Sequence, residues 1–558
     1  MTAPPDRTAT PGEPRAIGSR EGDGSPATPS TAQAKAQAKA QRLLSRPWAV
    51  PSLPAMLTLA VTAVGIGTPS LWLDEAATIS MTTRSYGDML RAFHEMDLVH
   101  ALYYMLMKPW VAVFGTGEIA LRLPSALAMA AAAAGITAIA RNRLGTSAGL
   151  LAGLAWAVGL QTTRWAHEGR SYAMTAALAV LATYLLVRAV DGDERRAWRW
   201  LALYAPAITL LGFMHLHGAL LVAAHGVTLL MARPGARRLV SWLSAAVAAT
   251  APLVPFALAA GDQKDQVRWL PEPSWDLAWT QVQFLSGGRP SVAPVVALAA
   301  IGVVAGVRRH RAGTGGSRPG ASSPPAGPSL PAVALPWLIL PTLLLLAVSS
   351  VDDPVFYFRY TAYCLPATAL LVGAGLAGIL AAARRLSARP VVVPVVVVPL
   401  VVVAVAVAAL VVPSLGDHAY IRKQGSRPDD TRRAADVVSA HARPGDAVVY
   451  LAGIVRWSAA AYPDVFGRLR DVDMRVDPVT AANLGGRDVF PRDLAPKLAD
   501  VERVWVMNHR HLDPHGPVIE RRERAVQAGG PWRRAGAWDY RGGWLVLFER
   551  TGPYRTSK

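Results

Sequence analysis

Cysteine is almost missing from this chain. The single Cys364 excludes an intrachain disulfide and a cysteine-based metal site. Charge is scarce too: 17% of the 558 residues are Asp, Glu, Lys or Arg, against 52% hydrophobic, which excludes an ordinary soluble protein of this length. No basic domain with interleaved aromatics is present, so the formal charge of +19 is not a nucleic-acid footprint. No cleavable leader is evident, because the first apolar run starts near residue 47 and reads as an uncleaved anchor. No trustworthy internal repeat of roughly 20–50 residues emerges.

What is there is a succession of apolar runs of about 20 residues, the signature of a polytopic α-helical membrane protein. The predicted spans lie near 48–68, 122–140, 147–163, 172–190, 199–214, 218–232, 239–260, 291–307, 331–350, 361–383 and 391–413. The segment 101–116 is apolar but short, and Lys108-Pro109 interrupts it, so it is expected on the outer surface. Its placement decides the topology. With it outside the count, the basic loops at Arg141/Arg143, Arg195/Arg196/Arg199, Arg233/Arg237/Arg238, Arg308/Arg309/Arg311 and Arg384/Arg385/Arg389 all fall inside; with it spanning, all fall outside. The positive-inside rule selects about eleven helices, N-terminus in and C-terminus out. Residues 1–46 read as a disordered basic cytoplasmic tail, and 308–330 as a flexible Gly/Pro/Ser-rich linker.

After Pro413 the composition turns charged. RPDDTRRAADVVSAHARPGD reads as a helix capped by Asp429 or Asp430, DAVVYLA and VERVWVMN as strands, and AWDYRGGWLVLFER as a hairpin turning at Gly542-Gly543. Residues 414–558 are therefore expected as a small extracytoplasmic α/β domain behind a membrane domain over 47–413. It shows no nucleotide-binding loop and no metal-ligand spacing.

The chemistry-bearing residues cluster at the expected outer ends of the spans. Asp74-Glu75 follows the first span, where carboxylates are costly to keep charged. One carboxylate can serve as general base toward an acceptor hydroxyl or amine, and the other can orient it or hold a cation. The alternative is a helix start, where acids favour the positive dipole end. His100 and Tyr104 follow in the large first outer loop, with its juxtamembrane segments, and Glu118 and Arg122 open the next span. Glu168, Arg170 and Tyr172 precede another span, and Arg359 and Tyr360 a later one. Arg170 and Arg359 suit a phosphate gripped in bidentate fashion, or headgroup anchoring. Arg122 leans structural. Tyr172 and Tyr360 also fit an aromatic belt. Glu168 either binds the acceptor or pairs with Arg170. A divalent metal on His94, His167, His215 or His217 with a carboxylate lacks a strong spacing.

In this order of motifs the chain resembles the GT-C superfamily of membrane glycosyltransferases, and most of all the branch with protein O-mannosyltransferases and aminoarabinose transferases. The resemblance covers roughly residues 48–413. It implies a polyprenyl-phosphate-linked sugar as donor, a hexose such as mannose as cargo, and a protein, lipid or glycan acceptor outside the cytoplasmic membrane. It makes Asp74, with Glu75 beside it, the base or acceptor-binding carboxylate. Where many relatives carry His-Pro-Pro or Lys-Pro, this chain has His100-Ala101-Leu102. Two other classes remain: a transporter or lipid flippase, which would place its charges near the midplane, and a non-catalytic membrane protein with an outer sensory domain.

Overall fold

The computed structural model describes residue 46 and residues 48–314, 327–387, 397–510 and 516–553. The basic tail and most of the expected linker lie outside the described residues. With no water in a bilayer to satisfy backbone groups, an apolar run of this kind closes its own hydrogen bonds as helix. The first helices are α1 (Ala49–Ala63), α2 (Leu73–Thr82), α3 (Tyr86–Glu95), α4 (Ala101–Phe114), α5 (Glu118–Leu144), α6 (Thr146–Ala157) and α7 (Leu160–Ala166). They are followed by α8 (Tyr172–Asp191), α9 (Glu194–Met214), α10 (Leu221–Ala232), α11 (Ala236–Thr250), α12 (Leu253–Gly261) and α13 (Trp275–Ser286). The helical part closes with α14 (Val292–Thr314), α15 (Leu330–Ser349), α16 (Leu365–Ser387) and α17 (Val397–Val411).

By length and composition, six helices can cross a membrane among the described residues: Glu118–Leu144, Tyr172–Asp191, Arg289–Ala312, Leu330–Ser349, Phe358–Arg385 and Val401–Tyr420. The pair α11–α12, bent by 43°, makes a seventh. Helices also occupy the other four stretches expected to span, but each falls short for a local reason. α1 has 15 residues. The 147–163 run breaks between α6 and α7 at Val158-Gly159. α10, preceded by the turn at Leu216–Leu220, is a shorter apolar helix, and α9 begins with a charged turn.

Small side chains set the closest helix contacts, as is common where lipid supplies no hydrophobic drive. A Cβ on Gly135 of α5 would stand 2.3 Å from Val180 of α8. On Gly302 of α14 it would stand 2.1 Å from the Leu371 carbonyl of α16.

The helix ends sort into two groups. α8 is a single helix of 20 residues, so its ends stand about 30 Å apart. At its C-terminal end Asp191 pairs with Arg143 at 2.6 Å, and Arg238 donates to the Val190 and Gly192 carbonyls at 2.6 and 2.8 Å. Three of the basic loops therefore share one face. At its N-terminal end lies the apolar cluster of α2, α3 and α4, built on Ala76, Met81, Met89, Phe93, Tyr103, Tyr104 and Met107.

The segment around Lys108 departs from expectation. α4 runs unbroken through Pro109, and Lys108 turns its Nζ onto the Thr82 and Arg84 carbonyls, closing the C-terminal end of α2.

The C-terminal part holds a five-stranded sheet in the order β2-β1-β5-β7-β6. β1 (Ala447–Tyr450) pairs parallel with β2 (Arg470–Asp471) and with β5 (Arg503–His509). β7 (Gly543–Arg550) runs antiparallel to β5 and to β6 (Trp532–Tyr540). A separate ribbon joins β3 (Met474–Val476) and β4 (Arg487–Asp488). The β6–β7 hairpin turns one residue earlier than expected, at Arg541-Gly542, because Gly542 takes φ +96° while Gly543 already pairs with Tyr540. The helix Thr431–His441 is capped by Asp430, which accepts from the Arg433 amide at 3.0 Å.

Candidate active site

Asp74 and Glu75 both sit in the first turn of α2. Neighbours on a helix lie about 100° apart, so they face different surroundings. Glu75 points inward and is fully buried. Arg122 donates Nε to its Oε1 at 2.8 Å and Nη2 to its Oε2 at 2.7 Å, and the Gly169 amide donates to Oε1 at 2.8 Å. The remaining guanidinium hydrogens reach the carbonyls of Ile66 (2.9 Å), Pro69 (2.8 Å) and Ser70 (3.0 Å). Arg122 thus uses every donor it has, and Glu75 presents neither oxygen to the cavity. Gly169 is required here, since a Cβ would come within 2.6 Å of Leu121.

Asp74 points the other way, with its side chain 24% exposed and its Oδ2 3.4 Å from Arg359 Nη1. Arg359 is framed by the rings of Trp72, Trp269 and Tyr357 at 5.7, 5.8 and 5.3 Å, and its Nε is shielded without a partner. Arg170 donates Nη1 to the Asp74 carbonyl at 3.3 Å and to the Tyr104 hydroxyl at 2.8 Å. Tyr104 in turn donates to Asp97 at 2.6 Å. Asp97 holds a left-handed backbone at φ +59°, the kind of strained non-glycine position found at ligand sites. His100 packs edge-on against Tyr104 at 6.0 Å. Tyr360 stacks among His215 and His217, and Tyr172 is buried beside His215 rather than facing lipid.

The expected Glu168–Arg170 bridge does not form. The chain bends at Gly169 and Arg170, and Glu168 pairs instead with Arg427 at 3.3 Å. Burial outweighs that pairing at both ends. It raises the Glu168 carboxyl above its usual range and pushes the Arg427 guanidinium down to about 10. Arg427 also donates to the His167 carbonyl.

Residues 427–432 tie the sheet domain to the same loops. The Leu73 amide donates to Asp429 at 3.4 Å, and His509 Nε2 lies 2.6 Å from the other oxygen of that carboxylate. Thr431 donates to the Leu71 carbonyl. Arg432 pairs with Glu118 at 2.7 Å.

Among the described residues no group of three or more His, Cys, Asp or Glu side chains is arranged to hold a metal. His94 is exposed on α3, and His167 Nε2 is engaged with the Thr62 carbonyl at 2.7 Å. The metal expectation therefore finds no converging ligand set there.

The structure brings Asp74, Arg170, Tyr104 and Arg359 into contact, with His100 packed on Tyr104, Tyr360 beside Arg359, and Glu75 and Glu168 buried behind them. Residues not foreseen are Asp97, Arg427 and Asp429, together with the ring cage of Trp72, Trp269 and Tyr357. Asp97 was visible only as one more charge of the first loop. The cage had no local signal.

Near these residues runs an apolar groove of about 430 Å³ between α4, α5, α8 and α9, lined among others by Leu102, Leu106, Met174, Leu178, Leu181 and Met214.

Comparison with known proteins supplies three findings. Residues 101–259 match a family model described as dolichyl-phosphate-mannose-protein mannosyltransferase. No curated protein matches the chain. The fold is similar to the crystal structure of ArnT from Cupriavidus metallidurans in the apo state, with a TM-score of 0.55 at 13% identity over 89% of this chain and 97% of that one. It is similar also to the same protein bound to undecaprenyl phosphate, with a TM-score of 0.53 at 14% identity and the same coverage. The resemblance to GT-C membrane glycosyltransferases is borne out, in sequence over residues 101–259 and in fold over most of the chain.

Proposed function

We propose that this chain transfers a sugar from a polyprenyl-phosphate-linked donor to an acceptor hydroxyl or amine on the outer side of the cytoplasmic membrane. One observation carries the reading: a solvent-reachable carboxylate, Asp74, stands with two guanidiniums above an apolar groove. The neighbouring fold holds undecaprenyl phosphate, and the matching family model is described by a lipid-phosphate mannose donor. Both support a lipid carrier here, with a hexose such as mannose as cargo and a protein, lipid or glycan as acceptor. The basic loops gathered at the far ends of the helices support the outer location. Residues 47–413 form the transferase domain and 414–558 an extracytoplasmic domain that braces it.

The acceptor's proton passes to Asp74 while its oxygen or nitrogen bonds to the anomeric carbon. The bond from that carbon to the phosphate oxygen breaks, and its electron pair leaves with the polyprenyl phosphate. Arg170 and Arg359 take up the charge of that phosphate in a shielded setting, where fixed cations act most strongly. Before the donor binds, Arg359 is held by Asp74; a phosphate draws it away and leaves the carboxylate free as base. Tyr104 and Asp97 fix Arg170. Glu75 acts by positioning α2, and His100, Glu168 and Tyr360 line or back the cavity.

The test is a comparison of cells with and without the gene. The expected result is one missing glycan or lipid sugar together with accumulated polyprenyl-phosphate sugar; unchanged lipid-linked sugars would remove the reading. Within the enzyme, Arg359→Ala should raise the KM for the lipid donor by about 10- to 100-fold, the loss of one charge-assisted phosphate contact, with the acceptor KM little changed. Equal effects on both substrates would make Arg359 an anchor.

A further inference from the structure

Three imidazoles, His215 buried and His100 and His217 half-buried, stand beside the site with no task in the transfer step. His100, His215 and His217 each keep an Nδ1 shielded from solvent and without a hydrogen-bond partner. The rings of His215 and His217 are 5.4 Å apart, and Tyr360 lies 5.3 and 5.5 Å from them. Tyr172 closes the group at 5.9 Å from His215. The arrangement is built rather than loose. The Tyr363 hydroxyl donates to the His217 carbonyl at 2.7 Å, and Gly218 packs where a Cβ would meet Leu211 at 2.7 Å.

Burial, helped by His217, His100 and the guanidiniums of Arg359 and Arg170, holds the His215 imidazole well below its ordinary range. A neutral imidazole offers one donor and one acceptor and no charge, so it does not compete for the phosphate. Neutral donors and acceptors beside a ring face suit a hydroxyl-rich, uncharged ligand.

The cluster also stands at the mouth of the apolar groove. Met214 adjoins His215, Leu102 follows closely on His100, and Met174 on Tyr172; all three apolar residues line the groove. A polyprenyl tail gains little by moving from bilayer to apolar groove, because lipid chains are as apolar as leucine. Discrimination among lipid carriers therefore falls to the head group.

We infer that His100, His215, His217 and Tyr360 form the subsite for the donor's sugar ring, the imidazoles exchanging hydrogen bonds with its hydroxyls and Tyr360 lying against its face. This rests on the lipid-donor reading above. It also gives the histidines a role other than metal ligation.

The experiment uses the full chain in lipid nanodiscs. Affinities are measured for bare polyprenyl phosphate and for the same lipid carrying mannose, glucose, galactose or an arabinose. The wild-type protein is expected to bind at least one sugar lipid about tenfold tighter than the bare lipid, the margin that a few well-placed hydrogen bonds provide. His215→Ala and His217→Ala should each shrink that margin to below about threefold, with bare-lipid affinity unchanged. His215→Gln and His217→Gln, which keep a donor and an acceptor, should restore part of it; a purely structural role would not respond this way. The subsite is overturned if the wild-type protein shows no margin, if the variants lose both lipids equally, or if they leave the margin intact. If the wild-type protein binds neither lipid, the donor reading itself falls.

Discussion

Asp74→Asn should lower kcat by about 10²–10⁴-fold, the range supplied by a positioned general base. The replacement is nearly isosteric and keeps an oxygen toward Arg359, so insertion, folding and donor binding should persist. The check is transfer from a purified lipid-linked sugar, with lipid affinity measured alongside. The argument for so large an effect is geometric. Asp74 is the partly exposed carboxylate beside Arg359, since Glu75 is consumed by Arg122 and Gly169, and Glu168 is buried with one oxygen on Arg427. Turnover within about threefold of wild type would leave the acceptor's proton without a recipient among these residues and would end the base assignment.

Arg122→Met should destabilise the folded protein by about 3–5 kcal/mol, because it strands the Glu75 charge in a fully buried position. The loss is compounded by three loop carbonyls, Ile66, Pro69 and Ser70, that lose their donors. Thermal unfolding in detergent measures it. Glu75→Leu combined with Arg122→Met should recover part of the loss, since no lone charge remains, but not all of it, since the carbonyls stay unpaired. A single-variant effect below about 1 kcal/mol would mean that water reaches the pair. Glu75→Gln gives the complementary reading. If it folds but loses turnover as fully as Asp74→Asn, Glu75 returns to the chemistry.

These two variants also mark how far local pattern carries. The adjacency of Asp74 and Glu75 is plain in the chain, and so is their place after an apolar run. Their division of labour is not, because it depends on which side of α2 meets Arg122, nearly fifty residues later. The grouping of basic loops predicted that residues 70–104, 164–172 and 351–360 share one end, and Glu75 with Gly169 and Asp74 with Arg359 join them. The break at Val158-Gly159 was passed over because the apolar run before it was carried on into the polar LQTTRWA segment after it. Glu168 was matched to Arg170 by proximity in sequence; the turn at Gly169 separates them, and the actual partner lies 259 positions away. Trp269 and Tyr357 met Arg359 only through tertiary packing, which no periodicity encodes.

The clamp at residues 427–432 imposes an order on biogenesis. Both loops it grips, around residues 66–75 and 167–170, leave the ribosome first. At roughly 5–20 residues per second, about 10–50 s elapse before Arg427 is made. Until then α2 lacks the Asp429 contact at its leading turn and Glu168 has no Arg427 to pair with. A chain ended before residue 427 therefore holds both loops without the contacts that tie them to the sheet domain.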